Sequence, residues 1–177
     1  MTPAGIGPPV RVGVGFDSHR FDETRPLVLG GVVIPDVPGL KGHSDGDAVA
    51  HAITDAVLGA AGLGDIGAMF PDTDPAHEGA DSVALLAAAV RRLRGRGFRV
   101  GNVDVTVVTE RPGIAPHARA MRERLAEALH VRPTAVSIKG KSNEGLGWIG
   151  RGEGLAAIAV ATVGRGPPGS GGAAGGA

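Results

Sequence analysis

Two short stretches of this 177-residue chain hold the residue types that bind metals and phosphates. Asp17 and His19 stand two apart at the end of an apolar run, residues 10–16, that reads as a strand. Period-two geometry sends both side chains to one side, where a carboxylate and an imidazole can share a cation. Alone, the two are more readily an incidental polar pair in a loop. The run His43-Ser44-Asp45-Gly46-Asp47-Ala48-Val49-Ala50-His51 changes that balance, because it sets His51 one turn past Asp47 inside an apolar helix. A histidine there loses hydration and needs partners for its nitrogens. Asp17, His19 and His51 then form an Asp/His/His set, and three protein ligands with one open position is the pattern of a catalytic zinc site. Asp47 or Asp55, each one turn from His51 on the same helix face, can hold its second nitrogen.

Other residues suit phosphate. His43 and Ser44 precede the helix, where free N–H groups attract anions. Simple capping explains Ser44 or Asp45 but gives no reason for His43. The loop Gly140-Lys141-Ser142-Asn143-Glu144-Gly145-Leu146-Gly147 follows a strand and carries a cation, a hydroxyl and a carboxylate. It can wrap phosphates, with Glu144 holding a hard cation such as Mg²⁺ or Mn²⁺; it does not match a P-loop. Asp65-Ile66-Gly67 and Phe70-Pro71-Asp72-Thr73-Asp74 form an acidic stretch that can accept hydrogen bonds from polyol hydroxyls, or supply turns and caps. Thr109-Glu110-Arg111-Pro112-Gly113-Ile114-Ala115 follows a strand, where backbone groups can read a base edge.

The elements that must position these residues alternate in type. Strands are expected at 10–16, 103–109, 135–139 and 154–163, with a hairpin of 27–29 and 32–34 about Gly30-Gly31 and a loop over 35–42. Helices are expected at 45–61, capped by Asp45 or Asp47 and stopped by Gly62, at 81–94 behind Asp81 or Ser82, and at 117–129. This predicts an α+β fold of two layers, a mixed β-sheet with helices packed on one face. The last strand, Leu155-Ala156-Ala157-Ile158-Ala159-Val160-Ala161, is apolar on both faces and so needs cover on both. Helices can supply one cover; an oligomer partner or simple central burial supplies the other.

Composition removes several function classes. Lys+Arg and Asp+Glu both total 18, so there is no basic excess for nucleic acid, and the absence of Tyr argues against a base-stacking surface. With no Cys, any transition metal must be held by histidine and carboxylate. No apolar run is long enough for a membrane span, and the first nine residues lack the order of a signal peptide. A cytoplasmic protein is expected, with a flexible extension at 1–9, one catalytic domain at 10–163 and a disordered Gly/Pro/Ala-rich tail at 164–177.

Taken in order, several segments resemble the 2-C-methyl-D-erythritol 2,4-cyclodiphosphate synthase family: Gly15-Phe16-Asp17-Ser18-His19, His43-Ser44-Asp45-Gly46-Asp47 with His51, Thr54-Asp55-Ala56, Gly64-Asp65-Ile66-Gly67, Phe70-Pro71-Asp72-Thr73-Asp74-Pro75, Gly101-Asn102-Val103-Asp104 and Gly150-Arg151-Gly152-Glu153-Gly154. The resemblance implies that Asp17, His19 and His51 bind Zn²⁺ and that Glu144 lies near a second cation, Mg²⁺ or Mn²⁺. It implies that His43 and Ser44 contact a diphosphate, and that Ser142, where the family usually has Thr, stabilises the transition state with His43. Asp65, Ile66, Gly67 and the stretch from Phe70 to Asp74 correspond to the polyol segments, and Thr109 to Ala115 to the cytosine turn. Trp148 and Arg151 take substrate-side positions usually held by Phe and Arg, and Lys141 and Asn143 replace part of a Thr-rich run beside the phosphates. The implied reaction is metal-dependent closure of a cyclic diphosphate from a CDP-linked substrate with release of CMP. The implied assembly is a homotrimer with its sheets facing the three-fold axis. A zinc phosphohydrolase, or a non-catalytic trimer binding isoprenoid diphosphates, are the rival readings of the same residues.

Overall fold

Glycine spacing in the first strand decides how closely the first helix can sit. In the computed structural model, which describes residues 10–71, 73, 74, 77 and 79–165, strand β1 (Arg11–Leu29) presents Gly13 and Gly15 to helix α1 (Ala48–Ala61). A Cβ at Gly13 would lie 2.0 Å from the Ala56 carbonyl oxygen, and one at Gly15 would lie 1.8 Å from that of Ala52. The helix therefore rests on the strand backbone itself, and an added methyl at either position would force it away.

Asp47 settles the choice of cap. Its carboxylate accepts from Val49 N and Ala50 N at the start of α1, and Gly62 ends the helix at φ 71°. The same carboxylate accepts from Gly30 N at 2.8 Å and Gly31 N at 2.7 Å. Those glycines form the turn between β1 and β2 (Val32–Leu40), and both have the positive φ that a two-residue hairpin turn favours. Asp47 is fully buried and ties the hairpin to the helix. Burial pushes its carboxyl up to about 6, against the downward pull of the Ala50, Gly30 and Gly31 amides.

The sheet order is β2-β1-β5-β3-β4, with β3 (Phe98–Val108), β4 (Val136–Lys141) and β5 (Gly154–Arg165). β3 and β4 run parallel and the other pairs antiparallel, so the sheet is mixed. All five strands run past their expected bounds, β4 by reaching Lys141. β1 and β2 continue as one long ribbon, with Phe21 opposite Leu40, although Pro35 and Pro38 read as loop. β2 lies at the sheet edge, where a missing N–H need not cost a ladder bond. β3 begins at Phe98 because Gly101 sits in a register shift between Val100 and Val103 rather than ahead of the strand. β5 includes Gly164 and Arg165, the first two residues of the expected tail. The flexible extension expected at 1–9 and the rest of the expected tail, 166–177, lie outside the described residues.

Helices α3 (Ser82–Gly95) and α4 (Ala118–Leu129) join α1 on one side of the sheet. Ile53, Val57, Leu86, Leu93, Met121 and Leu125 are buried there with Val103, Val105 and Val107. Full burial of each such side chain contributes about 1.5–3 kcal/mol. Two short helices, α2 (Ile66–Met69) and α5 (Gly147–Gly150), sit in the connections. Among the described residues nothing covers the opposite side of the sheet: Val12, Val14, Phe16, Ile158 and Val160 are 38 to 66 % exposed. The described residues thus cover the last strand on one face. Among the described residues no helix is long and apolar enough to cross a membrane.

Candidate metal and phosphate site

Alternation along β1 carries Asp17 and His19 onto the face shared with Gly13 and Gly15, under the first turns of α1. His51 meets them from that helix. Its Nδ1 lies 2.9 Å from Asp17 Oδ2, and His19 Nε2 lies 2.9 Å from the same oxygen. One donor atom from each residue falls within 4.8 Å of the other two. The close approach that the two glycines permit is what lets a helix residue reach a strand residue here.

The electrostatics are those of a cation site. Burial, the largest single influence on Asp17, pushes its carboxyl up, but the imidazoles of His19 and His51 beside it outweigh it and bring it down to about 2. Asp17 in turn raises His19 above the ordinary imidazole value, against the opposing effect of burial. His19 Nδ1 lies 2.6 Å from the Lys41 carbonyl oxygen, which can only accept, so the proton of the neutral ring belongs on Nδ1. His19 Nε2 is then a bare, buried nitrogen without a hydrogen-bond partner; its short distance to Asp17 lacks a bonding orientation. A buried nitrogen left in this way beside a carboxylate and a second imidazole is what a divalent metal would satisfy.

The second nitrogen of His51 does not go to Asp47 or Asp55. Asp47 is occupied by four backbone amides. Asp55 accepts from Ile66 N at 2.7 Å and so holds α2; its carboxyl is pushed up by burial. His51 Nε2 instead lies 2.9 Å from Ser82 Oγ and 3.0 Å from Ser44 Oγ. Ser82 belongs to the first turn of α3, so the partner comes from a different element, which helix spacing alone cannot reveal.

The triad forms part of a cleft of about 300 Å³ that also takes in His43, Ser44, Ile66, Gly67, Phe70, His77 and Leu85. His43 is exposed at its rim, while Ser44 is buried and accepts from Gly46 N at 3.3 Å. Arg25, which the sequence reading passed over, fixes this loop by donating to the Gly42 carbonyl at 2.6 Å and to that of Ser44. His77 was also missed; it stands edge-on to Phe70 with ring centroids 5.3 Å apart. A histidine in an otherwise acidic loop was the available signal. Asp65 caps α2 by accepting from Ala68 N at 2.8 Å. Pro71, Thr73 and Asp74 are exposed and do not line the cleft. Asp72 lies outside the described residues.

The remaining expected residues gather elsewhere. Thr109 N donates to the Lys141 carbonyl at 2.9 Å, and Ser142 Oγ donates to Glu144 Oε1 at 2.8 Å. Glu110 Oε1 accepts from Asn143 N at 2.9 Å and Gly145 N at 3.2 Å, so an internal carboxylate occupies two of the backbone donors expected to cradle phosphate. Ile114 is buried against Gly140, while Gly113 and Ala115 are exposed. Arg111 shares a recess with Phe21, Asp36 and Arg151, bordered by Pro38; Pro112 is half-buried. Trp148 reaches the outer side of His19, in a shallow recess with Ser18 and Glu153. Among the described residues, nothing from 109–115 or 141–144 lines the triad cleft.

Residues 10–164 match the YgbB family. A protein from Gemmatimonas aurantiaca called 2-C-methyl-D-erythritol 2,4-cyclodiphosphate synthase is 64 % identical over 154 residues, 87 % of this chain and 93 % of the relative. Among solved structures, the bifunctional IspDF of Campylobacter jejuni superposes with a TM-score of 0.87 at 42 % identity, over 90 % of this chain but only 43 % of that protein. A CDP complex of IspF from Plasmodium falciparum superposes with a TM-score of 0.79 at 32 % identity, over 92 % of this chain and all of that one.

Proposed function

The chain belongs to the YgbB family, and from that premise we propose that it carries out an intramolecular phosphoryl transfer of isoprenoid biosynthesis by the non-mevalonate route. The 2-phosphate of 4-diphosphocytidyl-2-C-methyl-D-erythritol 2-phosphate attacks the β-phosphate, CMP leaves, and 2-C-methyl-D-erythritol 2,4-cyclodiphosphate is formed. The observation that carries this reading is the convergence of Asp17, His19 and His51, with the bare His19 Nε2, in a cleft whose rim bears His43.

Asp17, His19 and His51 are the residues that would hold Zn²⁺, since the donors are two nitrogens and one oxygen and the chain has no cysteine thiolate. When bound, that ion supplies Lewis-acid charge against phosphate oxygens. The attacking phosphate is already anionic, so no residue need remove a proton; the protein positions and neutralises. His43 and Ser44 are assigned to the diphosphate. Ile66, Gly67 and Phe70 are assigned to the polyol, together with Asp65 and the stretch from Pro71 to Asp74. The turn from Thr109 to Ala115 is assigned to cytosine. Lys141, Ser142 and Asn143 are assigned to the phosphate side, Trp148 and Arg151 to substrate-side positions, and Glu144 to a Mg²⁺ or Mn²⁺ ion.

Neither the turn from Thr109 to Ala115 nor the loop from Lys141 to Glu144 lines the triad cleft, and the exposed apolar sheet face has the character of an interface. We therefore take the working form to be a homotrimer with sheets facing the three-fold axis, the triad cleft of one copy meeting the Lys141 to Glu144 loop of the next. The proposal places this work in the cytoplasm. Product analysis tests it. Incubation with the CDP-linked substrate, followed by phosphorus NMR, should give cyclic diphosphate and CMP in equal amounts. A linear phosphate product would identify a hydrolase instead.

A further inference from the structure

Each triad histidine needs its metal-facing nitrogen free of a proton, and the two solve this differently. The Lys41 carbonyl fixes the proton of His19 on Nδ1. His51 has no carbonyl at its outer nitrogen; it has two hydroxyls, Ser82 Oγ at 2.9 Å and Ser44 Oγ at 3.0 Å. A hydroxyl can donate or accept, so by itself it leaves the ring undetermined.

Asp45 removes that ambiguity. Ser82 Oγ donates to Asp45 Oδ1, and Ser82 N donates to Asp45 Oδ2 at 3.2 Å. An ionised carboxylate can only accept, so the Ser82 hydroxyl proton is committed to it. Ser82 Oγ then faces His51 Nε2 with lone pairs, and a 2.9 Å contact between them requires the proton on Nε2. This leaves Nδ1, 2.9 Å from Asp17 Oδ2, as the nitrogen that would turn a lone pair to a bound ion. Ser82 is fully buried, so water does not compete for these bonds. We propose that Ser82, oriented by Asp45, is a positioning residue of the metal centre: it holds His51 in the Nε2–H form and raises the affinity of the triad for its ion. The proposal rests on reading the triad as a zinc site. It also assigns the Asp45–Ser82 contact a purpose beyond tying the α1 and α3 starts together.

The test is zinc affinity, measured by competition with a chelator, alongside the His51 ring signals of the zinc-loaded, nitrogen-labelled protein. Wild type should show a slowly exchanging Nε2–H. Ser82→Ala should bind zinc about 10- to 100-fold more weakly and lose that protected proton. Ser82→Thr, which keeps the hydroxyl, should recover most of the affinity. Unchanged affinity and an unchanged Nε2–H in Ser82→Ala would overturn the proposal while leaving the zinc site standing. A wild type that binds no zinc would overturn both. Should Ser82→Ala fail to fold, Asp45→Asn gives the same answer. Its amide no longer commits the Ser82 proton, so a fall in zinc affinity supports the relay and an unaltered value sinks it.

Discussion

The triad cleft and the Lys141 to Glu144 loop carry the same kinds of side chain, yet they are built in opposite ways. In the cleft, Asp17, His19 and His51 are largely buried, come from two elements locked by Gly13 and Gly15, and are held further through the Lys41 carbonyl and the Ser44 and Ser82 hydroxyls. In the loop, Lys141, Ser142 and Glu144 are exposed, Glu144 sits at φ 51°, and the contacts are mostly internal to the loop and the neighbouring Glu110. The first region is complete within one chain. The second is an exposed surface, which the proposed function assigns to a site shared with a neighbouring copy.

The largest effect should come from the complete region. His51→Ala should remove the bound metal and lower turnover about 10³-fold or more, with the fold largely retained; elemental analysis beside a melting curve checks both. Metal retained at the wild-type level would break the contrast at once. Next in size, Glu144→Gln should lower turnover about 10²–10³-fold while triad metal stays in place. Part of that loss should return at higher Mg²⁺ or Mn²⁺. Turnover close to wild type would show that no second cation is held there.

A matched pair of carboxylates sharpens the comparison in stability. Asp47 and Glu110 both accept backbone N–H groups, but Asp47 is fully buried and Glu110 exposed. Asp47→Asn turns an amide group toward buried donors and should cost about 2–4 kcal/mol in denaturant unfolding. Glu110→Gln should cost under about 1 kcal/mol. Equal costs would mean that the two regions are equally rigid.

A smaller effect than that of Asp47→Asn is expected in acid. In the metal-free protein Asp17 is held at about 2 against an ordinary 3.8, so its contribution is present above the unfolded value and is lost as pH falls toward the folded one. That amounts to about 2 kcal/mol. His19 runs the other way: its raised value makes its contribution present below 6.5 and lost as pH rises through the folded value. The stability gap between metal-free wild type and Asp17→Asn should therefore close between about pH 4 and pH 2.

What could be read from the sequence follows the range of the interactions. Asp17 and His19 are a local pattern, and His51 stood out as a polar residue in an apolar helix turn. Asp47 as cap and Gly62 as stop are also local. Ser82 was visible only as a helix start, because its partner His51 is 31 positions away and the contact depends on how α3 docks. Likewise β2 and the start of β3 were hidden by Pro35, Pro38 and Gly101, whose local meaning as breakers gave way to an edge position and a register shift. The Glu110 bond to Asn143 and Gly145 joins two loops brought together by the β3–β4 pairing, and no local pattern announces it.

The central claim is that a working site takes its metal half from one chain and its phosphate half from a neighbour. Mixing His51→Ala with Glu144→Gln chains, after dissociation and reassembly at equal amounts, tests it directly. Each variant alone should be nearly inactive. The mixture should regain about one quarter of wild-type activity per site, since half the metal halves and half the loops are intact and pair at random. A mixture no more active than the two separate variants would contradict the account.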